Sequence, residues 1–144
     1  YLLHRLTEGQ DFSASLHPKP VEGEWNGAGA HINFSTEYMR EAGDKKYILD
    51  VCDALSVKHD NHMKVYGEEN EKRLTGDCET QHFSKFTYGV SDRGASVRIP
   101  AQTAMDWCGY IEDRRPAANV DPYEAFGVLV KTISSVKVPE NITA

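Results

Sequence analysis

Two residues of this sequence have the types needed to hold a metal ion beside bound anions. His31 follows a glycine-rich turn, and Glu112 stands two residues before Arg114. Imidazole and carboxylate groups bind divalent cations, and guanidinium groups pair with phosphate and carboxylate groups. Further arginines are Arg73, Arg93, Arg98 and Arg115. The sequence therefore indicates an anion site with possible metal ligands, as a nucleotide and a carboxylate substrate would require.

Each of these residues also has an interpretation that involves no chemistry. A single histidine such as His31 is more often hydrogen-bonded or exposed than bound to a metal. Glu112 with Arg114 or Arg115 matches an ion pair on a strand face, and exposed pairs contribute only about 0–1 kcal/mol. From the residues alone, both interpretations stay open.

Alternation of apolar and polar residues predicts the strands that would position these groups. The segments with this pattern are 12–17, 30–35, 96–100 and 109–114. In the second segment, His31 lies on the polar face, because successive side chains of a strand point to opposite faces. In the last segment, Glu112 and Arg114 share a face with Tyr110. A carboxylate and a guanidinium group are thus predicted on one surface.

Helical periodicity predicts two amphipathic helices. One extends between Asp44 and Lys58, where apolar residues recur at helical spacing. The other begins after Asp121, a capping acid that Pro122 follows at the first helical position. Its buried stripe is expected to comprise Val128, Leu129 and Ile133.

The polar stretch from 59 to 76 lies between predicted elements, and we interpret it as a short helix followed by a long solvated loop. His59 and His62 have the i, i+3 spacing of one helix face. Because no acidic or cysteine ligand pattern accompanies them, we expect two solvated side chains.

Composition places the chain among ordinary soluble globular proteins and favours a single domain. The 144 residues carry a formal net charge of -6, which gives no support to a nucleic-acid or anionic-membrane partner. No apolar stretch approaches the length of a membrane span, and no signal peptide is recognisable. An odd number of cysteines, Cys52, Cys78 and Cys108, suits a reducing compartment. We expect a cytoplasmic protein, with an organelle such as a plastid left open.

A series of short motifs extends over the chain from Tyr1 to about Ser135. They are Pro18-Lys19-Pro20, Trp25-Asn26-Gly27-Ala28-Gly29-Ala30-His31, Asn33-Phe34-Ser35-Thr36, Arg73-Leu74-Thr75-Gly76, Arg93-Gly94-Ala95-Ser96-Val97-Arg98 and Gly109-Tyr110-Ile111-Glu112-Asp113-Arg114-Arg115-Pro116. In this order they resemble the motifs of eukaryotic-type glutamine synthetases. A single glycine-rich turn would not be specific, but several motifs in the family's order are.

The resemblance implies an α+β fold with a curved, largely antiparallel sheet flanked by helices. Residues 1–144 then correspond to the C-terminal part of the catalytic domain. The family's N-terminal β-grasp domain and the first half of the catalytic domain, with most metal ligands, precede this part, so we expect the chain alone to be inactive. Family subunits build each site between neighbours, and we expect a homo-oligomer, a decamer of two pentameric rings.

The resemblance also implies roles for individual residues. The metal ligands, for Mg²⁺ or Mn²⁺, are His31 and Glu112. The residues that hold glutamate are Trp25, Asn26, Gly27, Arg73 and Arg114. The residues that contact ATP are Asn33, Phe34, Ser35, Arg93, Arg98, Tyr110 and Ile111. The catalytic residues are Glu79, Arg93 and Arg98.

The activity implied is the ligation of ammonia to the side-chain carboxylate of L-glutamate, driven by ATP. The carboxylate attacks the γ-phosphate, and ammonia then displaces phosphate from the γ-glutamyl phosphate. Glu79 matches the glutamate of a flap that shields this intermediate from water. The family usually has histidine just before this glutamate, whereas this sequence has Cys78, which leaves the detail of flap closure open.

Three other functions are compatible with the sequence. A catalytically inactive structural relative would share the fold, although a scaffold gains nothing from burying unpaired charge. A related ligase that joins glutamate to another amine would differ mainly outside this chain. A nonenzymatic binding module would bind nucleotide without any dependence on metal.

Overall fold

A computed structural model of the chain describes residues 1–140, so the last four residues of the predicted range 1–144 lie outside the described part. The fold is α+β, with a four-stranded sheet and six α-helices in this part. The strands are β1 (Ile32–Phe34), β2 (Tyr88–Val90), β3 (Val97–Ile99) and β4 (Ile111–Asp113). The helices are α1 (Leu2–Thr7), α2 (Glu37–Glu41), α3 (Lys45–Val57), α4 (His59–Met63), α5 (Ala101–Asp106) and α6 (Pro122–Ile133), with a 3-10 turn at Asn70–Lys72.

The sheet has the order β1-β4-β3-β2 and is largely antiparallel, as expected. β4 pairs antiparallel with β1 and β3, and β2 pairs parallel with β3. In this register Glu112 lies opposite Asn33 on one side and opposite Arg98 on the other. Because directly paired residues share a face, one face of the sheet carries a polar row across three strands.

Helix α3 packs its apolar side on the opposite face of the sheet. Asp44 caps the helix, accepting a hydrogen bond from the backbone N–H of Tyr47 at 3.1 Å. The buried residues of α3 are Tyr47, Ile48, Val51, Cys52 and Leu55. They join Val97, Ile99, Ile111 and Leu129 in one core cluster. The predicted amphipathic helix between Asp44 and Lys58 is confirmed.

The second predicted helix is also confirmed, with a shifted buried stripe. Asp121 accepts hydrogen bonds from the backbone N–H groups of Tyr123 and Glu124, and Pro122 opens α6. The residues that α6 buries are Ala125, Leu129 and Thr132, whereas Val128 and Ile133 are only partly buried. None of the helices within residues 1–140 is long and apolar enough to cross a membrane.

One predicted strand is wrong. Residues 12–17 adopt no regular secondary structure, and Phe12 and Leu16 remain 65% and 52% exposed. Alternation alone does not make a strand, because each backbone group also needs a partner strand, and no strand in the described part of the chain pairs here. The other alternating segments form β1, β3 and β4 because they pair with each other.

For residues 59–76, the predicted short helix is confirmed as α4, and the expectation of a long solvated loop after it is wrong in part. Tyr66, Asn70, Arg73 and Leu74 are buried, although most other residues between 67 and 76 are exposed. The expectation of solvated histidines is also wrong, because His59 is 8% and His62 0% exposed. Polar partners contributed by distant segments make this burial possible.

The buried histidines belong to a polar network that joins α4, β4 and α6. His62 Nδ1 lies 2.6 Å from the hydroxyl of Tyr66, and His62 Nε2 lies 2.8 Å from that of Thr132. The Tyr66 hydroxyl donates a hydrogen bond to Asp113 at 2.8 Å. Asp113 in turn accepts two hydrogen bonds from the guanidinium group of Arg115. Buried polar groups are thus paired rather than solvated.

This network predicts a dependence of stability on pH. Burial, followed by the charge of Arg115, lowers the pKa of His62 from 6.5 to about 4. Between these values the unfolded chain binds the proton and the folded chain does not. The free energy of unfolding therefore decreases as the pH falls from about 6.5 to about 4, by about 3 kcal/mol for this group.

We expect His62→Asn to flatten this part of the profile, as measured by urea unfolding at several pH values. The control is Thr132→Val, which removes a hydrogen bond but keeps the imidazole, and which should lower stability at every pH while retaining the slope. An unchanged slope in His62→Asn would contradict the assignment.

Candidate functional site

A small cavity lies where the glycine-rich turn before β1 meets the segment after β4. Its volume is about 190 Å³. The residues that line it are Asn26, Gly27, Gly29, His31, Arg73, Glu79, Thr80 and Arg114. Six of these belong to the residues predicted from the sequence, and they come from four separate segments of the chain. The fold thus brings together much of the predicted site.

Glu112 lies beside this cavity and contacts both His31, the other predicted metal ligand, and two of the arginines. Its carboxylate lies 3.1 Å from His31 Nδ1, 2.6 Å from Arg98 Nε and 3.1 Å from Arg114 Nη1. The contact with Arg98 is an ion pair rather than an aligned hydrogen bond. Glu112 is therefore the common partner of three predicted site residues.

The charges of Glu112 and His31 follow from this arrangement. Burial would raise the pKa of Glu112, but the hydrogen bond and charge of Arg114 hold that pKa below its usual value. For His31, burial is the largest effect and lowers the pKa together with the charge of Arg114, against the opposing effect of Glu112. At neutral pH the carboxylate is thus ionised and the imidazole is neutral.

The neutral imidazole of His31 has one nitrogen available to a ligand. Since Glu112 is ionised and can only accept, His31 Nδ1 carries the proton and donates it to Glu112. The lone pair then lies on Nε2, which has no hydrogen-bond partner among residues 1–140. A Cβ atom at Gly29 would lie 3.3 Å from this Nε2, so the nitrogen faces the cavity wall.

The donor set fits part of a metal site. A neutral imidazole nitrogen and an ionised carboxylate are suitable ligands for a divalent cation. Within residues 1–140, however, no group of three or more His, Cys, Asp or Glu side chains could hold a metal ion. His31 and Glu112 would therefore supply two ligands of a larger set.

Arg73 forms the floor of the cavity and is held mainly by the backbone. Its Nη2 donates to the carbonyl oxygens of Arg114, Arg115 and Pro116 at 3.1, 2.8 and 3.2 Å. Burial, followed by the charge of Arg114, lowers the pKa of Arg73 to about 10, so the group stays protonated at neutral pH. Only Nη1 faces the cavity, 3.0 Å from where a Cβ of Gly29 would lie.

Glu79 closes one side of the cavity. Its carboxylate lies 2.9 Å from Arg93 Nη2 and 3.6 Å from Arg114 Nη2. Its backbone N–H donates to Asn26 Oδ1 at 3.0 Å. The next residue, Thr80, is buried with a φ of 82°, a conformation that is strained for a β-branched residue. The loop that carries Glu79 is thus fixed to the glycine-rich turn.

The balance of charge around the cavity favours an anion. The guanidinium groups of Arg73, Arg93, Arg98 and Arg114 stand against the carboxylates of Glu79 and Glu112. Since His31 is neutral, positive charge is in excess although the whole chain is acidic. Arg114 is only 3% exposed, so its attraction for an anion is weakly screened by solvent.

Several predicted residues lie outside the cavity. Trp25 is 38% exposed and donates its indole N–H to the Val21 carbonyl. Asn33 is exposed on the polar face of the sheet, and the Ser35 hydroxyl accepts a hydrogen bond from Arg40. None of these three side chains lines the cavity.

The remaining predicted nucleotide contacts divide between surface and core. The side chain of Ile111 is fully buried in the core cluster, and Phe34 packs against the same cluster. Tyr110 is 42% exposed, and its carbonyl accepts a hydrogen bond from Thr103. Any contact of Ile111 with a nucleotide would therefore involve its backbone.

Sequence reasoning missed two residues of the cavity wall, Gly29 and Thr80. Gly29 stands in the glycine-rich motif, but its role depends on how near Arg73 and His31 approach it, which spacing along the chain does not reveal. Thr80 follows Glu79 directly and had no signal of its own.

The fold and the site define an α+β unit with a positively charged cavity and two candidate metal ligands. Similar chains are the proteins named glutamine synthetase from Agaricus bisporus (53% identical over 132 residues), Kluyveromyces lactis (49% over 143) and Neurospora crassa (52% over 132). These alignments cover 92%, 99% and 92% of this chain. No protein-family model matches.

At this identity, the chain belongs to the glutamine synthetase family. It spans only 37%, 38% and 36% of the length of these three relatives and matches their C-terminal region. The resemblance noted from the motifs is thereby confirmed. The roles predicted for individual residues stay predictions.

The hydrogen bonds of Arg73 predict that lysine cannot replace it. A lysine has no planar fork of donors and would leave several buried carbonyl oxygens unpaired. We expect Arg73→Lys to lower the free energy of unfolding by about 2 kcal/mol, as measured by urea unfolding. Arg93→Lys is the matched control, because Arg93 is an exposed partner of Glu79 and its replacement should cost less than about 1 kcal/mol. Equal losses in the two variants would contradict this role of Arg73.

Proposed function

We propose that the protein containing this chain ligates ammonia to the side-chain carboxylate of L-glutamate at the expense of ATP, forming L-glutamine, ADP and phosphate. The observation that supports this most directly is the position of Arg114. It is a buried cation at the cavity, and it contacts both Glu112 and Glu79. The name of the relatives, glutamine synthetase, states the formation of glutamine and supports this proposal.

The first step requires two anions to approach each other. An oxygen of the glutamate side chain attacks the γ-phosphorus of ATP, ADP leaves, and γ-glutamyl phosphate forms. Arg114 and Arg73 Nη1, which face the cavity, would bind carboxylate oxygens of the substrate. Arg93 and Arg98 would neutralise charge on the phosphate oxygens as it shifts. Holding both anions in one positively charged cavity reduces their repulsion.

The proposed metal belongs to this step. Mg²⁺ or Mn²⁺, when bound, would supply positive charge at the phosphate oxygens, and His31 and Glu112 would hold it. His31 is suited to this because burial and the charge of Arg114 lower its pKa and keep the imidazole neutral. Glu112 accepts the proton of Nδ1, which leaves Nε2 unprotonated. Arg98 and Arg114 keep the carboxylate of Glu112 ionised and oriented.

In the second step the nitrogen of ammonia attacks the acyl carbon, phosphate leaves, and a proton is lost from the nitrogen. Glu79 would exclude water at this stage, because the loop that carries it crosses one side of the cavity and is bonded to Asn26. Exclusion of water matters because hydrolysis would return glutamate and waste the ATP.

The complete site also needs residues outside this chain. Further metal ligands would come from the part of the subunit that the chain does not span. The proposed homo-oligomer, a decamer of two pentameric rings, would complete each site with a neighbouring subunit. Analytical ultracentrifugation of the full subunit would test this assembly. A cytoplasmic location is likewise a proposal, which fractionation of source cells would test.

The test of the reaction is glutamine formation by the full subunit with glutamate, ammonia, ATP and Mg²⁺, and with each omitted in turn. We expect formation only when all four are present. Product formation with another amine in place of ammonia would identify a related ligase instead. No product with any amine, from a folded subunit that binds ATP, would identify an inactive relative.

The proposed role of Glu79 gives a separate prediction. Glu79→Ala should increase the ATP hydrolysed per glutamine formed, because water gains access to the acyl phosphate. The measurement compares phosphate release with glutamine formation in the same reaction. Asp77→Ala is the matched control, since Asp77 is an exposed carboxylate of the same loop that does not line the cavity. Unchanged coupling in Glu79→Ala would remove the shielding role.

A further inference from the structure

The buried polar network lies directly behind the strand that carries the site residues. Asp113 and Arg115 are 0% and 1% exposed and alternate along the chain with Glu112 and Arg114. Since successive side chains of an extended segment point to opposite faces, Asp113 and Arg115 point away from the cavity. The contacts that hold Asp113 and Arg115 therefore also set the direction of Glu112 and Arg114, which are the neighbouring residues on the same backbone.

Asp113 and Arg115 are held by an ion pair with each other and by the contacts of the Arg115 guanidinium group. Arg115 Nε donates to Asp113 Oδ1 at 2.9 Å, and Nη2 donates to Oδ2 at 2.7 Å, which is a bidentate ion pair. The guanidinium carbon lies 5.1 Å from the ring centre of Tyr66 and 5.0 Å from that of Phe86. Arg115 Nη1 donates to His59 Nδ1 at 3.1 Å. The direction of this guanidinium group is fixed on every side.

Tyr66 forms hydrogen bonds with both ends of the segment 113–117. Its hydroxyl donates to Asp113 at 2.8 Å, and its backbone carbonyl accepts from the N–H of Ala117 at 2.8 Å. Arg114 and Arg115 lie between these two attachment points. Tyr66 therefore spans the stretch of backbone that places Arg114 at the cavity, although Tyr66 itself does not line the cavity.

The same stretch of backbone also holds the cavity floor. The carbonyl oxygens of Arg114, Arg115 and Pro116 accept from Arg73, as described above. Asn70 reinforces the attachment, since its side-chain amide donates to the carbonyl oxygens of Tyr66 and Arg115 at 3.2 and 2.8 Å. A shift of this backbone would move both cavity guanidinium groups together.

We propose that Tyr66 is a positioning residue for the site: its hydroxyl, acting through Asp113 and Arg115, holds Glu112 and Arg114 in the orientation that binds the substrate carboxylate and the metal. The expected effect of Tyr66 on the kinetic constants rests on the proposed function. The structural consequence of the inference, a fixed segment from 111 to 116, does not depend on the reaction.

The decisive variant is Tyr66→Phe in the full subunit, because it removes the hydroxyl and keeps the ring on Arg115. We expect the Michaelis constant for glutamate to rise about tenfold, since small displacements of positioning groups have large effects. The Mg²⁺ concentration for half-maximal activity should rise in parallel, because Glu112 lies on the same strand. A purely structural role would lower the amount of active enzyme and leave both constants unchanged.

Tyr38→Phe is the matched control. Its hydroxyl also donates to a carboxylate, Asp44 at 3.0 Å, but on the side of α2 and α3 and away from the cavity. We expect both constants to stay at their wild-type values in this variant. If Tyr66→Phe does not fold, Thr132→Val shortens the same chain of hydrogen bonds at its far end and should raise both constants by a smaller factor, about two- to threefold.

Amide hydrogen exchange separates failure of the inference from failure of the proposed function. In Tyr66→Phe, exchange should become faster at residues 111–116, and in Tyr38→Phe it should not, whatever the protein catalyses. Unchanged exchange at 111–116 would overturn the inference even if glutamine forms. Faster exchange in a subunit that forms no glutamine would retain the positioning role and reject the reaction.

Discussion

Burial of four successive charged residues at the end of β4 is the constraint on which the rest of the structure depends. Residues 112–115 are all less than a tenth exposed. An unpaired buried charge is strongly destabilising, so each of the four needs a partner of opposite sign or a polar group. Because alternate residues point in opposite directions, the partners must come from both sides of the strand. One side becomes the cavity, and the other becomes the network of Tyr66 and the histidines.

The two sides differ in how completely their groups are paired. Behind the strand, Arg115 uses its hydrogen-bonding groups on Asp113 and His59 and stacks on two aromatic rings. At the cavity, Arg73 Nη1 faces open space, and Arg114 Nε is buried without a partner in the described part of the chain. The polar groups behind the strand are thus paired within the protein, whereas those at the cavity can still bind a ligand.

The sequence predicted those elements whose local pattern of apolar residues agrees with the contacts that they make in the folded chain. β1, β3 and β4 alternate and also pair with one another, and α3 has both a capping acid and an apolar stripe. The segment 12–17 alternates without a partner and forms no strand. The burial of His59 and His62 could not be predicted, because their partners Phe83 and Thr132 lie 24 and 70 residues away along the chain.

The candidate site was predicted from the family motifs rather than from the alternation or periodicity of apolar residues. Six of the predicted residues line one cavity, and Glu112, Arg93 and Arg98 adjoin it through ion pairs. What the motifs could not give is the direction of each group. Arg73 was expected to hold glutamate, yet its Nη2 binds three backbone carbonyl oxygens and only Nη1 faces the cavity. The space left by the missing side chain of Gly29 likewise appears only once the segments are folded together.

The way Arg73 is held has a consequence for the response of the cavity to salt. Its partners are carbonyl dipoles in a buried position, so dissolved ions have little access to the attraction and little effect on it. The pair between Arg93 and Glu79 is different, because Arg93 is 66% exposed and its attraction is screened. As ionic strength rises, the cavity should therefore loosen at its rim, where the Glu79 loop closes it, and keep a rigid floor.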